Sequence, residues 1–209
     1  MSTTHTHETA YRSAETMKAM AEARIVVCGA GALGGNIVEG LARCGFKDIA
    51  VIDHDRVDEA NLCTQPYTTV DCGTKKVMAL GNLVEDSSRV VIECIDKRLD
   101  GRNAEKLLVG SLIVDVFDNS ESRGIVHNVC LRKSIPCLHA GMIDGFSAIQ
   151  WNEKYKIPKN VAGGDPCGYS LARTLAVITA AMTVEAIIRF VSKGEKHEWF
   201  FTLGDMKIS

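Results

Sequence analysis

The amino-acid sequence predicts an α/β fold: a mainly parallel β-sheet with helices on both faces and antiparallel strands near the carboxyl terminus. Two observations predict it. Short apolar segments alternate with amphipathic segments as far as Gly141, which is typical of βαβ units. A glycine-rich turn also joins the first strand segment to the first helical segment.

The parallel part of the sheet is predicted from apolar segments and the helical segments between them. We expect strands at 24–28, 48–52, 90–95, 112–117 and 135–139, and helices at 33–44, 75–86, 102–110 and 120–133. The second of these helices is clearly amphipathic, because its apolar residues recur at helical spacing. Those residues are Val77, Leu80, Leu83 and Val84.

After Gly141 the pattern changes to strands at 146–151 and 197–203 on either side of a long helix. We expect these strands to be antiparallel. Gly194 is a typical stop signal for the helix. The buried stripe of the helix is predicted to consist of Leu171, Leu175, Ile178 and Met182.

Length and charge indicate one domain, residues 24–209, preceded by an N-terminal arm or helix over residues 1–23. We expect the first dozen residues to be flexible. A formal charge of −2 provides no electrostatic attraction for nucleic acid or an anionic membrane. The longest apolar run, Leu175 to Val184, is too short to span a bilayer. No secretory signal is present, so we expect a cytoplasmic protein.

Eight cysteines occur, and none of them has the C-x-x-C spacing of a structural zinc site. A zinc site is therefore not expected. Free thiols in a reducing compartment are the better interpretation of these residues.

The glycine turn fits the pattern G-x-G-x-x-G at Gly29, Gly31 and Gly34. The helix that follows it favours an anion at its N-terminus. Asp53 ends the next strand at the spacing of about twenty residues that suits a carboxylate on ribose hydroxyls. These features alone predict a Rossmann-like domain that binds NAD.

Four further residues argue against NAD and for chemistry on phosphates. Asn61 and Gln65 follow Asp53, and Lys76 opens the next helix. Asp118 follows the strand predicted at 112–117, where it could hold Mg²⁺. A lysine and a metal carboxylate beside a polyphosphate suit nucleotidyl transfer, so an NAD-dependent enzyme is disfavoured.

The ordered set of motifs resembles the ThiF/MoeB family, the adenylating domain shared with ubiquitin-activating enzymes. The resemblance covers roughly residues 24–193. Each motif is weak alone, but the ordered set is specific. The matching segments are 29–34, Asp53 with Asp55, 61–65, 73–76, 118–123 and 135–141.

The resemblance implies an enzyme that uses ATP and Mg²⁺ to convert a carboxylate into an acyl-adenylate, with release of pyrophosphate. Residues 24–209 would then form a single ATP-binding adenylating domain with a crossover loop at 152–168. The implied nucleotide contacts are Gly29, Gly31, Gly34, Asp53, Asp55, Asn61, Gln65, Lys76 and Asn119. Lys76 and Asp118 would act in catalysis, and Asp118 would hold the metal. The family forms homodimers, in which Arg12 of a second subunit is the candidate to reach the γ-phosphate.

One departure from the family pattern concerns the phosphate charges. The family motif is N-x-x-R-Q, whereas Thr64 occupies the arginine position in this chain. The arginine would clamp the phosphates, so its loss weakens the case for efficient pyrophosphate release. Arg56, Lys75 or the Arg12 of a partner could substitute for it, and a nucleotide-binding scaffold without turnover is the alternative function.

The acceptor and the substrate remain open at this level. Cys167 in the crossover loop and Cys63 are candidate thiol acceptors, but inert packing cysteines are the commoner case. We therefore expect a separate thiol-bearing protein to accept the adenylate. The carboxylate is either a small molecule, such as the pyridinol precursor of the iron-guanylylpyridinol cofactor of a hydrogenase, or the C-terminal glycine of a ThiS/MoaD-like sulfur carrier protein.

Overall fold

The computed structural model describes residues 5–158 and 170–209. Within them, eight strands form one sheet in the order β3-β2-β1-β4-β5-β6-β7-β8. The strands β1 to β5 pair in parallel, and each later strand pairs antiparallel with its predecessor. The strands are β1 Arg24–Cys28, β2 Asp48–Asp53, β3 Glu93–Asp96, β4 Leu112–Asp115, β5 Cys137–Ile143, β6 Phe146–Trp151, β7 Trp199–Thr202 and β8 Lys207–Ile208.

The helices lie on both faces of this sheet. They are α1 Thr6–Tyr11, α2 Ala14–Glu22, α3 Ala32–Cys44, α4 Lys76–Ser88, α5 Ala104–Leu107, α6 Ser120–Lys133 and α7 Arg173–Lys193. Two short 3₁₀ turns, Glu59–Asn61 and Thr69–Asp71, lie between β2 and α4. Strand side chains alternate between two apolar cores: Ile25 and Val27 of β1 join the larger one, and Val26 and Cys28 join the smaller one. The predicted α/β fold class is confirmed.

The order of the strands locates the site. β1 lies between β2 and β4, so the chain leaves β1 on one side and returns on the other. In an open α/β sheet, ligands bind in the crevice beyond the carboxyl ends of strands at such a switch point. The glycine turn after β1 and the loop after β4 both lie at this point.

Several predicted elements differ in length from the observed ones, among them the helix and the strand that precede Asp118. The helix predicted at 102–110 is a single turn, α5. The strand predicted at 112–117 ends at Asp115. The carboxylate of Asp115 accepts the backbone N–H of Phe117 at 3.2 Å, and this bond takes Phe117 out of the strand ladder.

The predicted buried stripe of the last helix is only partly right. Leu175 is buried, but Leu171 precedes α7, and Ile178 and Met182 are only half-buried. The buried face of α7 instead contains several small residues, which allow α7 to approach α3 closely. They are Ala176, Thr179, Ala180 and Thr183.

Helix α7 is long and apolar enough to cross a membrane by length and composition. Its buried residues pack against α3, α2 and the sheet, as in the core helix of a globular domain. Gly194 ends it with a left-handed φ of +71°, as predicted.

The N-terminal residues that the structure describes are helical, so the expected flexible arm does not apply to residues 5–22. His5 contacts the backbone oxygen of Arg43 at 3.0 Å. Ser13 caps α2 by accepting the N–H of Thr16. Met20 of α2 is fully buried, which fixes the helix to the core.

Candidate nucleotide site

The three glycines of the turn between β1 and α3 have different environments, which give each position its own physical explanation. Gly29 has a φ of +113°, which strains any other residue. A Cβ on Gly34 would lie 1.8 Å from the backbone oxygen of Gly29, so only glycine allows the turn to close on the helix. Gly31 instead faces open space, with no atom within 4 Å of the position of a Cβ.

Gly31 is also the N-cap of α3, and it has no side chain to satisfy the first-turn N–H groups. Bare N–H groups at the start of a 13-residue helix, with open space beside them, are suited to an anion. The turn therefore fits a phosphate group.

Asp53 holds the turn in place. One oxygen of its carboxylate accepts the backbone N–H of Ala30 at 2.7 Å, and the other accepts the N–H of Asp55 at 2.7 Å. The hydroxyl of Tyr67 donates to the backbone oxygen of Ala30 at 2.7 Å. Burial raises the pKa of Tyr67 well above its usual range, so the phenol keeps its proton and remains a donor. Sequence reasoning missed Tyr67, although an aromatic residue two positions after Gln65 was a visible signal.

Lys76 is the positive charge of the site. It begins α4 and is only 7 % exposed, and its Nζ lies 3.3 Å from the carboxylate of Asp55. Its backbone N–H donates to the backbone oxygen of Asp55 at 3.0 Å. An ammonium group has three donors, so Lys76 retains donors for a phosphate.

The segment that contains Asn61 and Gln65 is a 3₁₀ turn followed by a tight loop. The backbone oxygen of Asn61 accepts the N–H of Gln65 at 3.1 Å. Gln65 is only 7 % exposed, and its Oε1 is buried without a hydrogen-bond partner among the described residues. An unpaired buried amide oxygen costs about 1–3 kcal/mol, so a ligand that supplies its partner gains that much.

Asp118 and Asn119 lie just beyond β4. Asp118 is exposed and forms no ion pair among the described residues, although the Arg123 guanidinium is close enough to interact with it electrostatically. Asn119 is the N-cap of α6: its side-chain oxygen accepts the N–H of Ser122 at 2.8 Å, and its amide donates to Asp118 at 3.3 Å. The predicted nucleotide contact of Asn119 is therefore restricted to its amide nitrogen.

A second group of possible metal ligands is formed by Asp53, His54 and Asp55, whose ligand atoms lie within 4.8 Å of one another. Asp53 already accepts two backbone N–H groups, and Lys76 lies beside Asp55. A cation there would be repelled by the ammonium group. Asp118 is exposed and forms no ion pair with a lysine or arginine among the described residues, so it fits Mg²⁺ better, because an exposed carboxylate can coordinate a metal that keeps most of its waters.

Arg12 is engaged within its own chain. Its guanidinium donates to Glu8 at 2.6 Å and to Glu185 of α7 at 2.9 Å. Its side chain is 13 % exposed. The structure thus does not place Arg12 with the other predicted site residues of the same chain, and its role across a dimer interface stays a prediction.

A buried polar network that sequence reasoning did not identify lies at the carboxyl ends of β4 and β5. His139 contacts Asp115 at 2.7 Å through Nδ1 and the Asn152 side-chain oxygen at 2.6 Å through Nε2. That oxygen also contacts His127 at 2.7 Å. The Asn152 amide donates to the backbone oxygen of His127 at 3.3 Å, which orients the oxygen toward both rings. Each ring nitrogen of His139 thus lies at hydrogen-bond distance from a side-chain oxygen.

Arg123 and Tyr155 close this network. The Arg123 guanidinium lies 3.6 Å from Asp115 and donates to the Tyr155 hydroxyl at 3.0 Å. The Tyr155 ring stacks on His139 with centroids 3.7 Å apart. These contacts fix the loop that continues from β6 against the ends of the strands. We assign the network a supporting role.

Of the two cysteines predicted as candidate thiol acceptors, only Cys63 lies among the described residues. Cys63 is exposed, with its sulfur 4.0 Å from the backbone oxygen of Ala60. Cys167 lies outside the described residues, so its prediction is not tested. By contrast, burial raises the pKa of Cys28 and of Cys137, and both are inert packing thiols.

Comparison with known proteins identifies the family of the chain. The model of the ThiF family matches residues 7–202. The Bacillus subtilis sulfur carrier protein ThiS adenylyltransferase is 30% identical over 177 residues, which cover 82% of this chain and 50% of that protein. The Haloferax volcanii SAMP-activating enzyme E1 is 33% identical over 122 residues, which cover 57% of this chain and 45% of that protein. The chain thus spans about half the length of these curated relatives.

Solved structures of other proteins share the fold of this chain. The crystal structure of E. coli MccB with ATP superposes with a TM-score of 0.83 at 16% identity, covering 100% of this chain and 71% of that chain. E. coli MccB with MccA gives a TM-score of 0.83 at 17% identity, covering 97% of this chain and 68% of that chain. At this identity the likeness concerns the fold alone. The family match over most of the chain goes further: the chain belongs to the ThiF family.

Proposed function

We propose that this protein is an ATP-dependent adenylyltransferase that activates a carboxylate as an acyl-adenylate and releases pyrophosphate. The proposal depends on three features of the site. The N-terminus of α3 is uncapped and has open space at Gly31. The Oε1 of Gln65 has no hydrogen-bond partner among the described residues, and Lys76 is buried. Its curated relatives are named as adenylyltransferases or activating enzymes, which supports the same reaction.

In the proposed reaction a carboxylate oxygen attacks the α-phosphorus of ATP, and the bond to the pyrophosphate oxygen breaks. The first turn of α3 binds phosphate oxygens, and Asp53 keeps that turn in its binding geometry. Lys76 neutralises the negative charge that moves toward the leaving pyrophosphate. Asp118 would hold Mg²⁺, which screens phosphate charge when bound.

Two carboxylates are candidate substrates. One is a small molecule, with the pyridinol carboxylate of the hydrogenase cofactor as the specific proposal. The other is the C-terminal glycine of a sulfur carrier protein, which is favoured by a relative named for ThiS adenylylation. We further propose a cytoplasmic homodimer that passes the adenylate to a thiol on a separate protein.

Isotope exchange between pyrophosphate and ATP tests the reaction. We expect exchange that depends on ATP, Mg²⁺ and one of the two carboxylates, and labelled AMP should transfer to that carboxylate. ATP binding by calorimetry without exchange in the presence of either substrate would instead support the alternative function, a nucleotide-binding scaffold.

A further inference from the structure

The loop at Thr64 and Gln65 lies directly on the phosphate-binding end of α3. The amide of Asn36 in α3 lies 3.4 Å from the backbone oxygen of Thr64. A Cβ on Gly35 would lie 2.7 Å from the ring of Pro66, so this loop and the first turns of α3 are in close contact. A cation that reaches this loop is therefore near the site of the triphosphate.

The cations considered from sequence as substitutes for an arginine at position 64 are already engaged. The Arg56 guanidinium donates to the backbone oxygen of Gly73 at 2.6 Å. The Lys75 ammonium donates to the backbone oxygen of His54 and lies 3.0 Å from Asp96. Arg12 is held by two carboxylates of its own chain.

Arg173, the first residue of α7, also approaches this loop. Its Nη1 lies 3.5 Å from the backbone oxygen of Gln65, at the outer limit of a hydrogen bond. No carboxylate of the described residues lies within ion-pair distance of it, and the residue is exposed. A guanidinium in this state can turn toward an anion without breaking an ion pair.

We propose that Arg173 binds the terminal phosphates of ATP and supplies the positive charge that Thr64 lacks. The inference rests on the proposed use of ATP. A guanidinium presents several N–H groups in a planar fork, which matches phosphate oxygens. Because α7 packs against α3, its start can deliver this charge to the loop from a different point in the chain.

Calorimetric titration with ATP and with AMP tests the proposal independently of turnover. We expect Arg173→Ala to weaken ATP by about tenfold or more and to leave AMP within about twofold, because AMP lacks the β- and γ-phosphates. Arg173→Lys should retain part of the ATP affinity. Lys193→Ala, at the exposed far end of the same helix, is the matched control and should bind both nucleotides as the wild type does.

A Thr64→Arg substitution in the Arg173→Ala chain should restore ATP affinity, because it returns a guanidinium to the same loop. Unchanged ATP affinity in a folded Arg173→Ala chain would overturn the proposal, as would equal losses for ATP and AMP. If the wild type binds ATP but shows no exchange with any carboxylate, adenylation is refuted while the comparison of ATP with AMP still decides the role of Arg173.

Discussion

The charged residues of the site differ in the neighbours that surround them. Lys76 is buried beside Asp55, so its ammonium is held at a fixed position and loses little entropy when a phosphate arrives. Asp118 is exposed and forms no ion pair among the described residues, so its carboxylate is accessible to a metal. In the proposed reaction these two residues act on charge that moves toward the leaving pyrophosphate.

Removing either charge should lower turnover more than ATP affinity. We expect Lys76→Met and Asp118→Asn each to reduce the exchange rate by about 10²-fold, the scale for one electrostatic contact made mainly in the transition state. Both variants keep the approximate volume of the native side chain. Lys75→Met is the control, because Lys75 is paired with Asp96. Wild-type exchange rates in the Lys76 and Asp118 variants would show that the assigned roles are wrong.

Sequence predicted the residues whose roles are local, and it missed those whose roles depend on the fold. Asp53 was identified because its distance from the glycine turn is fixed by one βαβ unit. The unpaired oxygen of Gln65 was not predictable, because burial and missing partners are properties of the packed loop. Arg173 was missed for the same reason, since 108 residues separate it from Gln65.

At the level of elements, the turn between β1 and α3 contains one glycine that is needed for packing and another that faces open space. Gly34 has no room for a Cβ, whereas Gly31 has open space in the protein alone. The two positions are three residues apart in one motif. Substitution at each should therefore affect a different property.

We expect Gly31→Ala to fold with a melting temperature close to that of the wild type but to bind ATP at least about tenfold more weakly, because the new methyl group occupies the phosphate space. Gly34→Ala should instead lose several kcal/mol of stability, since its Cβ overlaps the backbone oxygen of Gly29. Thermal melts and ATP titrations of the two variants separate these effects. Unchanged ATP affinity in Gly31→Ala would place the phosphates elsewhere.

The ends of β4 and β5 are joined by polar contacts that no local pattern reveals. Asp115 and His139 are 24 positions apart in sequence and meet only because their strands are neighbours. The strand segments themselves were predictable from apolar runs. Their partners and the buried network were not, because pairing between distant segments is set by the whole sheet.

Asn152 is the shared acceptor of this network, so its removal should be costly. Asn152→Ala removes the side-chain oxygen that contacts the buried ring of His139 and the half-buried ring of His127. We expect a loss of about 2–5 kcal/mol in the free energy of unfolding, measured by urea denaturation. Gln150→Ala, two residues earlier in β6 and half-buried, should cost less than about 1 kcal/mol. Equal effects of the two substitutions would show that the network adds no stability.

At the scale of the whole molecule, the proposed homodimer requires Arg12 to form ion pairs in the free protomer and to contact the γ-phosphate of its partner in the dimer. In the single chain it pairs with Glu8 and Glu185, whose side chains are 30% and 40% exposed. The Arg12 side chain itself is only 13 % exposed, so these pairs are worth more than fully exposed pairs, which contribute about 0–1 kcal/mol each. A triphosphate of the second subunit would have to displace both carboxylates from the guanidinium.

Mixed dimers test this assignment. An Arg12→Ala chain and an Asp118→Ala chain should each show little exchange activity alone. If Arg12 completes the site of its partner, a hybrid dimer contains one site with both residues intact. An equal, randomly associated mixture should then regain about a quarter of the wild-type activity, because half of the dimers are hybrids and each has one functional site of two. If Arg12 acts only within its own chain, every site in the mixture lacks one of the two residues, and no activity returns. Sedimentation of the wild type as a fully active monomer would reject the dimer itself.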